Sequence, residues 1–317
     1  MRNLIAAVAL AAALAPVARA GDPLTDAVTP LDSNAPIRFG MGQPNGPKRA
    51  AEGKAILEPY LSDALKRPVT VVVLESYEDL AQALAAGKVD LAWVEPAAFV
   101  AAQGRGREVQ AIAKALRRGK LYYRAAIIVR ADSPARALAD LKGKTVAWVS
   151  RSSASGYLFA RALLAAQGID PDAFFRAQTF AGDHPRVCSD VRGGQADAGA
   201  TFTDERPKGE TPLADGCADS PPVKDFRVLA VSDPIPNDVI AARPGFDERV
   251  SPVVLQVFAQ MSQSEAGRRV LRDVFRVDGW GVAVEGDFVP VAEAMRAAGP
   301  RPAAPAKGSK KAAKPGQ

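Results

Sequence analysis

The chain has one histidine, His184, and two cysteines, Cys188 and Cys217, in 317 residues. A Ser-His-acid triad therefore has a single possible base, and a catalytic metal site lacks its usual ligand supply. The cysteine spacing fits neither a C-x-x-C redox motif nor a zinc pattern, so in an exported chain a structural Cys188–Cys217 disulfide is expected. Nucleotide-binding and hydrolase signatures are missing too. Gly143-Lys144-Thr145 has Leu138 where a P-loop needs its first glycine, and it precedes a strand instead of following one. Around Ser155, a G-x-S-x-G elbow fails on both sides, at Ser153 and Tyr157. No catalytic residue, metal or cofactor is expected. There is no internal repeat at solenoid periods.

Beyond residue 20 no apolar run reaches the length of a membrane span. The first twenty residues read as a cleaved signal peptide: Arg2, the apolar run Leu4–Leu14, and Ala18-Arg19-Ala20 as the cleavage site. Cleavage after Ala20 leaves Gly21 first, with no adjacent cysteine for a lipid anchor, so a periplasmic product is expected. The formal charge of +6 is carried by the ends. Residues 1–20 and 299–317 hold two and five basic residues and no acid, which leaves −1 for the body. A near-neutral body gives no electrostatic footprint for nucleic acid. The Pro/Ala/Lys/Gly segment 299–317 has the composition of a disordered basic tail.

Between these ends strands and helices alternate, the pattern of an α/β fold with mixed, mainly parallel sheets. Val69–Leu74 reads as a strand buried on both faces, Ser76–Asp79 as a capping box with Asp in the Glu position, and 204–225 as a long surface loop. The most informative stretch is Thr145–Gln167. A buried strand leads through Ser150–Gly156 into a helix from Tyr157, so N–H groups at a helix start point into a crevice beside the sheet. Two readings stay open on these residues: Ser152, Ser153 and Ser155 cap the helix, or they and the backbone hold an anion. Ligands of such sheets bind at the carboxyl ends of strands, which gathers Gly42–Asn45, Glu95-Pro96, Gly182–His184 and Thr201–Asp204 near the serine turn.

Several motifs, in order, resemble the phosphonate/phosphite/phosphate periplasmic binding proteins of ABC transporters. They are Gly87-Lys88-Val89-Asp90-Leu91-Ala92-Trp93 with Pro96, Tyr123 opening a strand, Ser153-Ala154-Ser155-Gly156, Gly182-Asp183-His184, Gly194–Gly199 and Ile235-Pro236-Asn237-Asp238. The resemblance implies a two-lobed type II binding-protein fold with a hinge, lobe one being 36–125 plus 233–298 and lobe two 126–232. It implies a ligand site of Tyr77, Tyr123, Ser153, the N–H of Ala154, Ser155 and His184, with Asp204 placed to pair with a ligand amine. Read without it, the tyrosines are as well explained by half-buried packing, the lone histidine by a structural role, and Trp93 by the core. Three departures bear on the ligand: Ala154 replaces a hydroxyl residue, Ala125 stands where serine is often found, and Glu95 stands where glycine is common. A carboxylate there repels a dianion. The expected ligand is a small oxyanion or a zwitterion whose cationic end faces Glu95 or Asp204. The expected partner is an ABC permease or, alternatively, a membrane sensor such as a histidine kinase, with the protein working as a monomer.

Overall fold

The computed structural model describes residues 36–298 apart from 44–45, 105–107 and 219–222. The expected signal peptide and basic tail lie outside the described residues. Strands β1 (Ile37–Met41), β2 (Val69–Val73), β3 (Leu91–Val94) and β4 (Gln110–Leu116) alternate with helices α1 (Pro47–Ala64), α2 (Tyr77–Ala85) and α3 (Pro96–Gln103). The chain then builds β5 (Tyr122–Arg130), β6 (Thr145–Trp148), α4 (Phe159–Ala166), α5 (Pro171–Phe174), β7 (Ala177–Phe180), α6 (His184–Arg192), β8 (Ala198–Asp204) and β9 (Phe226–Pro236). It returns for β10 (Val239–Ala242), α7 (Ser251–Ala259), α8 (Glu265–Val270), β11 (Gly279–Val282) and α9 (Val289–Ala297).

Two mixed sheets result, in the orders β11-β4-β10-β3-β1-β2 and β7-β6-β8-β5-β9. Parallel pairing joins β1 to β2 and β3, and β6 to β7 and β8. The pairs made by β5, β10 and β11 are antiparallel, because these strands enter from crossovers or returns instead of βαβ units. The chain passes between sheets at 117–121 and again at 237–238.

Local sequence explains the elements that matter for the site. Pro47 occupies the first turn of α1, whose Ala50, Gly53, Leu57 and Leu61 form the buried stripe. Ser76 caps α2 by accepting from the Asp79 N–H at 3.0 Å, while its hydroxyl donates back to the Asp79 carboxylate. Aspartate, one methylene shorter than glutamate, thus closes the box on the serine hydroxyl.

Two expectations need correction. Strand β2 is not buried on both faces: it forms a sheet edge and Thr70 is exposed. The strand expected at 196–200 runs instead from Ala198 to Asp204, because its ladder with β5 continues to the Tyr123–Asp204 pair. Residues 201–204 are therefore strand, still at its carboxyl end.

The Cys188–Cys217 disulfide is present, with Cα atoms 5.6 Å apart, and ties α6 to the 204–225 segment. No helix among the described residues is long and apolar enough to cross a membrane.

Candidate ligand-binding site

Each sheet turns its strand ends toward one cavity of about 180 Å³. Tyr77 reaches it from the first turn of α2, and Glu95 from the cap of α3 directly after β3. From the second sheet come Tyr123 at the start of β5, Ser153, Ala154 and Ser155 after β6, His184 at the start of α6, and Asp204 at the end of β8. Eight of the nine expected side chains therefore meet there. Ser152 does not line the cavity; its Oγ lies 3.2 Å from Ser150 Oγ. Ala125 is buried in the core of the second sheet and is no part of the cavity wall.

The turn after β6 is tighter and its helix wider than the sequence predicts. Ser153 Oγ accepts from the Gly156 N–H at 3.0 Å, and the Ser153 carbonyl accepts from Leu158 N–H, so residues 154–158 form a π turn before α4 begins. Gly156 is required by close approach: a Cβ there would lie 2.3 Å from Val149 Cγ2. The first N–H groups of this turn have no acceptor within the helix, and Ser153, Ala154 and Ser155 line the cavity. Capping and cavity lining are both roles of Ser153, so the two readings of the serines do not exclude each other.

The neighbouring donors are neutral. Burial pushes the Tyr77 and Tyr123 phenols up, and the Glu95 and Asp238 carboxylates push both further. Burial lowers His184 to about 4, against a weak opposing pull from Asp183, so the imidazole is uncharged at neutral pH. Its Nδ1 lies 3.0 Å from Thr201 Oγ1, and its ring stands edge-on to Phe202.

Four lining residues were not among the expected site residues: Arg117, Phe202, Asn237 and Asp238. Arg117 donates to Asp238 at 3.1 Å and to the Arg276 carbonyl at 2.8 Å. Asn237 donates to the carbonyls of Ala115 and Lys120, both at 3.0 Å, and fastens the two crossings together. Its Oδ1 is buried and accepts no hydrogen bond among the described residues. The Ile235–Asp238 motif had pointed at two of these residues without giving them a role. Trp93 packs edge-on against Phe275 as expected of core, and it also walls a small recess beside Tyr77 and Glu95.

Glu95, Asp204 and Asp238 face one lining guanidinium, Arg117, a formal balance of −2. Arg118, donating to Asp204 at 2.7 Å from outside the wall, brings it to −1. The cavity thus combines neutral hydrogen-bond donors from the serine turn, Tyr77, Tyr123 and His184 with a net-negative set of charged groups. No cluster of three or more metal-ligating side chains occurs among the described residues.

Comparison with known proteins agrees with this architecture. The family model described as ABC transporter, phosphonate, periplasmic substrate-binding protein matches residues 40–288. The phosphate-import protein PhnD of Mycolicibacterium smegmatis is 27% identical over 227 residues, 67% of this chain and 68% of that protein. Among solved structures, PhnD1 from Prochlorococcus marinus in complex with methylphosphonate is similar at a TM-score of 0.67 and 16% identity, over 84% of this chain and 98% of that one. A binding protein component of an ABC phosphonate transporter from Pseudomonas aeruginosa is similar at 0.65 and 19%, over 83% and 86%. These structures share the two-lobed type II binding-protein fold, and the chain belongs to the family of periplasmic substrate-binding proteins of phosphonate ABC transporters.

Proposed function

We propose that this protein delivers to its ABC permease a small phosphonate-class oxyanion that carries an ammonium group. The observation that carries the reading is the mixed lining of the cavity. Its lining carries the π turn, two serine hydroxyls, two phenols and a neutral imidazole. The same lining holds three carboxylates that outnumber its arginine. Neutral donors suit an oxyanion without giving it a counter-charge. The carboxylates repel a simple dianion and attract a cation placed a few ångströms from it. A ligand of roughly aminoethylphosphonate size matches both kinds of group and the volume of about 180 Å³.

On this reading Tyr77, Tyr123, Ser153, Ala154 N–H, Ser155 and His184 hold the anion, and Glu95, Asp204 and Asp238 the cation. The lobes built on the two sheets close by bending at 117–121 and 237–238. Closure desolvates the ligand and strengthens each of these interactions. The chain is exported with cleavage after Ala20, which N-terminal sequencing of the periplasmic protein checks directly: the expected first residue is Gly21.

The deciding experiment is calorimetric titration with 2-aminoethylphosphonate, methylphosphonate and inorganic phosphate. The aminophosphonate is expected to bind at least tenfold more tightly than the other two, about 1.4 kcal/mol. Equal or tighter binding of methylphosphonate would overturn the cationic-end assignment.

A further inference from the structure

His184 has two ring nitrogens, and the one that carries the proton decides what the cavity presents. A protonated Nε2 offers a donor to an oxyanion; an unprotonated Nε2 offers a second lone pair to a space already rich in acceptors. Geometry selects between them. Thr201 is fully buried, and its Oγ1 lies 3.0 Å from His184 Nδ1. Among the described residues that nitrogen is the hydroxyl's hydrogen-bond partner. A buried hydroxyl proton needs an acceptor. If Nδ1 carried the proton it would donate to Oγ1, and the hydroxyl proton, turned away, would have no acceptor among the described residues.

We infer that Thr201 is a positioning residue of the binding site: its hydroxyl donates to Nδ1 and holds His184 as the Nε2–H tautomer, aimed at the bound oxyanion. The inference rests on the cavity being the ligand site, but the tautomer belongs to the ligand-free protein.

The surroundings keep the hydroxyl in place. Behind it stands Gly216, where a Cβ would lie 2.0 Å from Thr201 Oγ1, so only a bare glycine allows the approach. Gly216 adjoins Cys217, whose disulfide partner Cys188 lies four residues after His184 on α6. Positions four apart share a helix face. The bridge therefore clamps the element carrying the imidazole to the segment that walls in the hydroxyl. Phe202 follows Thr201 on β8 and stands edge-on to the imidazole, so one strand supplies both the hydroxyl and the aromatic contact.

Because the chain has a single histidine, every imidazole resonance of an untagged ¹⁵N-labelled sample belongs to His184. At pH 7 without ligand, long-range ¹H–¹⁵N spectra should show Nε2 protonated and Nδ1 as an unprotonated acceptor. Thr201→Val keeps the side-chain shape and removes the donor; it should shift Nδ1, populate the other tautomer, and weaken 2-aminoethylphosphonate binding about tenfold. Thr201→Ser restores the hydroxyl and should restore both readouts. A wild-type ring protonated at Nδ1, or a Thr201→Val spectrum identical to wild type, would overturn the inference. If 2-aminoethylphosphonate binds neither protein, the ligand assignment fails while the spectra still decide the tautomer.

Discussion

Arg118 donates from Nε to Asp204 Oδ2 at 2.7 Å, so the carboxylate at the end of β8 already carries a guanidinium supplied by the crossing between the sheets. The arginine side chain is 61% exposed and the aspartate 13%, so the pair adds little stability and acts mainly on the charge of the cavity. Removing the guanidinium makes the cavity's charge more negative. Arg118→Ala should leave the melting temperature within about 2 °C while raising the preference for 2-aminoethylphosphonate over methylphosphonate several-fold. A preference that stays put would detach Asp204 from ligand selection.

Glu95 tests the same electrostatics from the other sheet. Glu95→Gln keeps the shape and removes one of the three carboxylates. Methylphosphonate should then bind about tenfold more tightly, the effect of about 1.4 kcal/mol of relieved repulsion, while the aminophosphonate gains nothing or weakens. If both ligands shift together, the carboxylate acts on the anion alone and the proposed orientation is wrong.

The sequence shows where these groups sit more readily than how they are connected. Strand, serine turn and helix at 145–167, the capping serine at 76 and the cysteine pair are local patterns, and each has its structural counterpart. Arg117 is the opposite case. Leu116-Arg117-Arg118-Gly119 reads as a polar turn, and only the return of β10 between β3 and β4 brings Asp238 within 3.1 Å of Arg117. That pairing joins residues 121 apart in sequence, beyond the reach of periodicity. The edge position of β2 and the lengthened β8 escaped for the same reason: sheet order and ladder length are tertiary facts. The π turn follows from Gly156 packing against Val149, which a helical pattern starting at Tyr157 does not reveal.

Gly156 is where the anion-facing turn is most vulnerable. An added methyl group meets Val149 Cγ2 at 2.3 Å, Val149 Cβ at 2.5 Å and Ser153 Oγ at 2.9 Å. Gly156→Ala should cost about 1–3 kcal/mol in denaturant unfolding and should weaken ligand binding by moving the serines. Adding Val149→Ala makes room and should recover part of both losses. Wild-type affinity in the single variant would show that the turn does not hold the ligand.

Acid should destabilise the protein in two stages. Burial brings His184 to about 4, whereas the unfolded chain takes up that proton near pH 6.5. Between these values the unfolded state binds more protons, so this stabilisation is complete above about pH 6.5 and is lost as pH falls toward 4. Asp90 acts lower. Burial alone would raise it, but hydrogen bonds from Arg38 and Arg243 outweigh burial and bring it to about 2. Its contribution is present above about 3.8 and is lost as pH falls toward 2. Unfolding free energies measured from pH 8 to 3 should therefore decline first between 6.5 and 4. His184→Gln should remove that first decline, and a profile unchanged by the substitution would exclude the histidine as its source.

The strongest stability test lies where the sheets are joined. Lys114 on β4 is 1% exposed and is ion-paired with Asp287, which also accepts from Tyr122 Oη at 2.8 Å. The ammonium sits 4.1 Å over the Tyr122 ring, so a strand of the first sheet, the start of β5 and the segment before α9 meet at one buried charge. Burial by itself raises the Asp287 carboxyl, and the bonds from Lys114, Tyr122 and the Val284 N–H outweigh it and hold the group below its usual range. Asp287→Asn leaves the ammonium buried beside a neutral amide and should cost about 3–5 kcal/mol. Lys114→Met with Asp287→Asn removes both charges and fills the space with an apolar chain of similar length, so it should be markedly more stable than Asp287→Asn alone. Denaturant unfolding of the two single variants and the double gives the coupling. A coupling below about 0.5 kcal/mol would mean that the joint is held by packing around Tyr122, with the ion pair incidental to it.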